Sequence, residues 1–143
     1  MTPPRSLPVL VVDDVPLIRA VVRATLEQVG LADVHEAADG GAALAMMNQR
    51  RYGLVIADWN MLPMTGYELL REVRDDPQLR ETPFIIMTTK EQAHCFIAAR
   101  RAGVNACLVK PFMPAALRET VEQVWSMNPT PAAGSREAAA VLL

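Results

Sequence analysis

Five side chains, widely separated along the chain, could do chemistry together. Asp13 and Asp14 follow the apolar run LPVLVV, Asp58 follows LVIA, Thr88 follows FIIM, and Lys110 follows CLV. Three carboxylates gathered in one place repel one another and raise one another's pKa. Such a cluster is tolerable if a cation sits among them. Hard oxygen ligands favour Mg²⁺, which keeps several waters and takes only one or two carboxylates. Lys110 would supply further compensating charge. A carboxylate beside a divalent metal and an ammonium is a nucleophile for phosphoryl transfer. The metal and the lysine can neutralise charge on the transferring group, and the Thr88 hydroxyl can bond a phosphoryl oxygen. A lone Asp at a strand end is more simply a turn former or a helix cap, and Asp33 and Asp39 are read that way. The joint placement of Asp13, Asp14, Asp58 and Lys110 is not.

The elements that must bring these residues together have two textures. Leu7–Val12, Leu54–Ala57, Phe84–Met87 and Cys107–Val109 are short, continuous and rich in β-branched residues. That is the pattern of strands buried on both faces of a parallel sheet. Asp33–Ala37 is a weaker fifth. Between them lie stretches of helical period: Pro16–Val29, Gly40–Arg50, Gly66–Arg74, Glu91–Ala102 and Pro114–Trp125. The first places Ile18, Val21, Val22, Leu26 and Val29 on one stripe. Pro16 suits its first turn and Gly30 its stop. Strand and helix alternate five times, which implies right-handed βαβ crossovers and a doubly wound α/β sheet. In such a sheet the functional site lies at the carboxyl ends of the strands. All five candidate side chains stand at strand ends of that kind.

Composition excludes several other classes. The 143 residues are 51% apolar, with 14 basic and 16 acidic side chains and a net charge of −2. That length fits one domain, expected over residues 1–126. The balance is not that of a dedicated nucleic-acid binder or of a highly charged disordered chain. Two cysteines cannot build a disulfide framework, so a reducing cytoplasm is expected. No apolar run approaches the roughly 18 residues needed to span a bilayer, and the N-terminus lacks a signal-peptide pattern. Residues 127–143, with MNPTPAAGS followed by REAAAVLL, read as a flexible tail whose last residues could form a short helix.

The segments VLVVDD, VIADWNMLPMTGYELLREVR, PFIIMTTKE and AGVNACLVKPF together resemble the receiver domain of bacterial response regulators, and most of all its stand-alone, CheY-like chemotaxis members. The likeness runs over about residues 7–126. It implies a flavodoxin-like fold with strand order 2-1-3-4-5. It implies that Asp58 accepts a phosphoryl group from a histidine of a sensor kinase, or exchanges it with a histidine phosphotransfer protein. Mg²⁺ would be held by Asp14, by Asp13 through water, by Asp58 and by the backbone carbonyl of Asn60. Thr88 would close on the phosphoryl oxygens and Lys110 would pair with them. The Lys110–Pro111 bond would be cis. Asn60 and Lys90 would set the lifetime of the phosphoryl group. A downstream protein would be bound on the face made by helix 4, strand 5 and helix 5, with no nucleic acid and no membrane insertion involved.

The chain departs from the family pattern at three places. Leu62 stands where proline is common, with Pro63 after it. Thr65 stands where relatives carry Asp or Asn before the glycine. Cys107 occupies the strand-5 position usually held by Tyr or Phe, and a small thiol cannot swing out a large face. Three other readings compete. An aspartyl-phosphate phosphohydrolase would carry a second Asp where Asn60 stands. A docking module that is never phosphorylated would not need the full set of site residues. Redox or zinc chemistry at Cys95, Cys107 and His94 would need more ligands, so buried free thiols are the simpler expectation. His35 reads as a polar surface residue. Trp59, directly after Asp58, is expected to cover part of the site. Arg19 and Arg23 read as either a kinase-facing or a merely solvated face. Arg100 and Arg101 suit the dipole at the end of their helix.

Overall fold

A computed structural model describes residues 7–126, except for the side chains of residues 93–95. The expected tail, 127–143, lies outside the described residues. In chain order the elements are β1 (Val9–Val12), α1 (Pro16–Gln28), β2 (Val34–Ala37), α2 (Gly40–Gln49), β3 (Leu54–Asp58), α3 (Gly66–Asp75), β4 (Phe84–Thr89), a 3₁₀ turn (Lys90–Cys95), α4 (Phe96–Ala102), β5 (Ala106–Lys110) and α5 (Pro114–Ser126). The five strands form one parallel sheet in the order β2-β1-β3-β4-β5, as expected.

The continuous apolar runs divide by alternation, because successive strand side chains point to opposite faces. Leu10, Val12, Val55, Ala57, Phe84, Ile86 and Cys107 pack with residues of α2, α3 and α4. Val9, Val11, Leu54, Ile56, Ile85, Met87, Ala106 and Leu108 pack with residues of α1 and α5. The runs of β1, β3 and β4 therefore read as apolar, since helices cover both faces there, whereas β2 carries the partly exposed His35 and Glu36.

Local signals set the helix ends. The Asp39 side chain accepts from the backbone N–H of Ala42 and caps α2. Thr65 and Glu68 form a reciprocal capping box on α3. Gly30 and Gly103 adopt φ of 92° and 96° after α1 and α4, a region that glycine enters without a Cβ clash. Both Leu62–Pro63 and Lys110–Pro111 are cis.

The structure corrects several expectations. The helix expected over Glu91–Ala102 is a 3₁₀ turn followed by a shorter α-helix, and within the turn Gln92 accepts from two threonines at the end of β4. Strand β1 begins at Val9, whereas β3, β4 and β5 run on to Asp58, Thr89 and Lys110. Val21 is half exposed and leaves the apolar stripe of α1. Arg19 and Arg23 both pair with Glu36 of β2, at 2.9 and 2.8 Å. They are therefore not merely solvated. His35 is partly buried and bonds Tyr52 Oη at 2.8 Å and Asp33 Oδ1 at 3.2 Å.

Arg74, at the end of α3, anchors the amino edge of the sheet. It donates to the carbonyls of Gly103, Arg80 and Thr82 and to Asn105 Oδ1. Asn105 Oδ1 in turn accepts from the backbone N–H of Phe84 at 2.7 Å. Burial lowers the Arg74 pKa to about 10, which still leaves it cationic at neutral pH.

Candidate functional site

Register gathers the site. Val12 pairs with both Ala37 and Ala57, so Asp13 and Asp58 emerge side by side from β1 and β3. Asp58 pairs with Met87, and Thr89 pairs with Lys110. Carboxylate oxygens of Asp13, Asp14 and Asp58 all lie within 4.8 Å of one another. Lys110 Nζ is 2.7 Å from Asp58 Oδ1 and 3.8 Å from Asp13 Oδ2. Asp13 and Asp58 are buried, and Asp14 is exposed.

Each carboxylate has a definite set of partners. Asp13 Oδ1 accepts from the backbone N–H of Val15 at 2.9 Å, and Asp58 Oδ2 from that of Asn60 at 3.1 Å. Asp13 Oδ2 is buried without a hydrogen-bond partner. Burial pushes the Asp13 carboxyl up. The Val15 N–H opposes that shift, Asp58 adds to it, and Lys110 opposes it. A buried oxygen with no donor, facing two other carboxylates, fits a hard divalent cation.

The remaining expected residues fall around this cluster. Thr88 is buried on the next strand, with its hydroxyl donating to Gln92 Oε1 at 3.3 Å. Alternation along β4 puts Thr88 on the side of Ile86 and the α2–α4 layer. Asn60 and Lys90 are exposed at the rim. Trp59 stacks on Tyr67 of α3, with centroids 5.3 Å apart and planes inclined by 29°. A Cβ at Gly66 would collide with the carbonyl oxygen of Asp58, so the start of α3 presses on the acceptor strand. Cys107 is buried at 2% exposure, and burial pushes its thiol up to about 12. Such a thiol is protonated and inert. The side chains of His94 and Cys95 lie outside what is described.

Sequence reasoning missed Gln92, because a glutamine three residues after a strand end carries no motif. It also missed an apolar cleft of about 620 Å³ beside the cluster. Ile18, Val21 and Val22 of α1 line one side, and Lys110, Pro111 and Phe112 line another.

Comparison with known proteins decides the family. Residues 9–122 match the model of the response regulator receiver domain. The chain belongs to that family. It is 37% identical over 117 residues to the chemotaxis protein CheY of Pseudomonas aeruginosa, covering 82% of this chain and 94% of that protein. It superposes on the structure of CheY4 of Vibrio cholerae with a TM-score of 0.76 and 38% identity, covering 82% of this chain and 98% of that one. The receiver domain of the sensor histidine kinase PA1611 of Pseudomonas aeruginosa, solved with magnesium coordinated in its active-site cleft, matches with a TM-score of 0.76 and 28% identity, covering 85% and 98%. Receiver domains are phosphorylation-dependent signalling switches of two-component systems, and they bind Mg²⁺ at an acidic pocket. In this chain Asp13, Asp14 and Asp58 form a cluster of carboxylates. No helix among the described residues is long and apolar enough to cross a membrane.

Proposed function

We propose that this receiver domain is a phosphorylation switch with Asp58 as its phosphoacceptor. The observation that carries the reading is the 2.7 Å contact of Lys110 Nζ with Asp58 Oδ1 inside a cluster of carboxylates. An Asp58 oxygen attacks the phosphorus of a donor phosphohistidine. The P–O bond forms as the P–N bond breaks, and the departing nitrogen keeps the electron pair. Asp13, Asp14, Asp58 and the backbone carbonyl of Asn60 would hold Mg²⁺, which when bound would neutralise charge on the transferring group. Lys110 adds a fixed positive charge against the same oxygens. The N–H of Asn60 orients the acceptor carboxylate.

The phosphoryl group brings about −1.5 to −2 charge and strong acceptor oxygens. The Thr88 hydroxyl turns to one of those oxygens, and the population shifts towards a second arrangement of the loops after β3 and β4. Asn60 and Lys90, at the rim, govern access of hydrolytic water. The donor is a sensor histidine kinase or a histidine phosphotransfer protein. The cleft between α1 and Phe112 opens beside Lys110, where an apolar donor helix can reach Asp58. Output is binding of a protein, of chemotaxis-motor or phosphorelay type, on the α4–β5–α5 face.

The decisive experiment is Asp58→Asn exposed to acetyl phosphate and Mg²⁺, read by intact mass. The parent gains one phosphoryl group and the variant gains none. Uptake by the variant at the parent's rate would sink the assignment. Thr88→Ala in the same assay accepts the group but fails to change partner binding.

A further inference from the structure

Thr88 has one hydroxyl proton, and in this structure Gln92 takes it. Thr88 Oγ1 donates to Gln92 Oε1 at 3.3 Å, and Thr89 Oγ1 donates to the same oxygen at 3.5 Å. A side-chain amide oxygen has two lone pairs, so it can accept both threonines. Thr88 cannot donate to Gln92 and to a phosphoryl oxygen at once. Gln92 lies in the 3₁₀ turn Lys90–Cys95, between the end of β4 and the start of α4. Such turns have poorer hydrogen-bond geometry than an α-helix and are common as connectors at helix ends. Cys107, on β5 opposite Ile86, is small and buried. The covalent route from Thr88 to α4 runs through this turn.

We propose that Gln92 is a positioning residue: its side-chain carbonyl holds Thr88 in the resting orientation, and loss of Thr88 to a phosphoryl group on Asp58 frees the turn 90–95 and the start of α4. This inference rests on the roles given above to Asp58 and Thr88. Gln92 then keeps only the longer contact with Thr89, at 3.5 Å, so its carbonyl is not stranded while its tie to β4 is loosened. A contact made only in the resting state opposes the switched state, and its removal shifts the equilibrium towards switching by its differential free energy.

The test uses the full chain, Mg²⁺ and beryllofluoride as the phosphoryl mimic, with Trp59 fluorescence as the readout. Gln92→Met keeps length and removes the acceptor. It lowers the half-saturating beryllofluoride concentration by about threefold, the effect of losing one hydrogen bond at the weak end of the usual range. In a Thr88→Val background the same substitution changes it by less than about twofold, because the Thr88 bond is already absent and the Thr89 bond, present in both states, cancels. A merely structural glutamine would instead shift the urea midpoint and act equally in both backgrounds. Equal shifts in the two backgrounds, or none with Thr88 present, would overturn the proposal. As a second measurement, Gln92→Met speeds amide exchange over residues 90–95 in the resting protein, and unchanged exchange would overturn it as well. A beryllofluoride response that survives in Asp58→Asn would instead refute the assignment of Asp58, which keeps the two failures apart.

Discussion

Asp13→Asn tests whether the carboxylate cluster is built around a cation. Asp13 is fully buried; Oδ1 is satisfied by Val15 at 2.9 Å, and Oδ2 has no hydrogen-bond partner. An unsatisfied buried acceptor costs about 1–3 kcal/mol, and more when charged. Lys110 stands 3.8 Å from that oxygen, a gross attraction of roughly 4 kcal/mol at an effective dielectric of about 20. That attraction is reduced because the same ammonium is held at 2.7 Å by Asp58, and because Asp58 and Asp14 repel Asp13. Asparagine keeps the shape and the Val15 bond, and its amide N–H can donate to a neighbouring carboxylate. In EDTA the variant should therefore be more stable than the parent, by about 1–2 kcal/mol. In excess MgCl₂ the order should reverse. A ligand that binds only the folded state stabilises it by about 2.7 kcal/mol at a hundredfold excess over Kd, and the variant offers one carboxylate fewer. Urea unfolding followed by tryptophan fluorescence, with midpoints compared at constant slope, reads both arms. A variant less stable than the parent in EDTA, or an equal gain from Mg²⁺ in both proteins, would refute the reasoning.

Two further outcomes follow from contacts around the site. The guanidinium groups of Arg23 and Arg19 hold the Glu36 carboxyl below the usual value of 4.5. Its stabilisation is therefore complete above 4.5 and disappears as pH falls through the depressed value. Glu36→Gln should cost about 1 kcal/mol at neutral pH, and the difference should vanish in acid; a pH-independent difference in urea midpoints would contradict this. Gly66→Ala should cost about 1–3 kcal/mol, because its Cβ meets backbone at Asp58 and Trp59 rather than a flexible side chain. It should also slow phosphoryl uptake, and parental stability together with parental uptake would show that the β3–α3 contact yields freely.

What could be read in the sequence was what repeats or what belongs to a motif. The strand runs were visible because helices cover both faces of the sheet at β1, β3 and β4, and the strand ends delivered Asp13, Asp58, Thr88 and Lys110 to one edge. The order of the strands came from the family likeness and not from periodicity, since alternation of β and α fixes no neighbours. The misread part of the 91–102 helix holds Gln92. An apolar pattern of helical period cannot reveal that its side chain accepts from two threonine hydroxyls. Arg19 and Arg23 were unresolved because their partner, Glu36, is on another element 17 and 13 residues away. Arg74 was invisible for a similar reason: three of its four acceptors are backbone carbonyls, which leave no mark on residue identity.

The two edges of the sheet are held differently, and that difference bears on how a switch can work here. At the amino edge, the half-buried Arg74 binds Gly103, just past α4, Thr82, before β4, and Asn105, before β5. Losing several hydrogen bonds to one charged group costs several kcal/mol, so the C-terminal end of α4 is held firmly. At the carboxyl edge, the side-chain ties recorded between β4 and the turn before α4 are two hydroxyl bonds of 3.3 and 3.5 Å to one carbonyl. Bonds of that length are among the weaker ones. A perturbation of a few kcal/mol at Asp58 can exceed the second restraint without approaching the first. Movement is then confined to the end of α4 next to the site, with Gly103 and Arg74 as its fixed support. The buried, small Cys107 is compatible with that route, because a helix tethered at one end can be displaced through its own connecting turn.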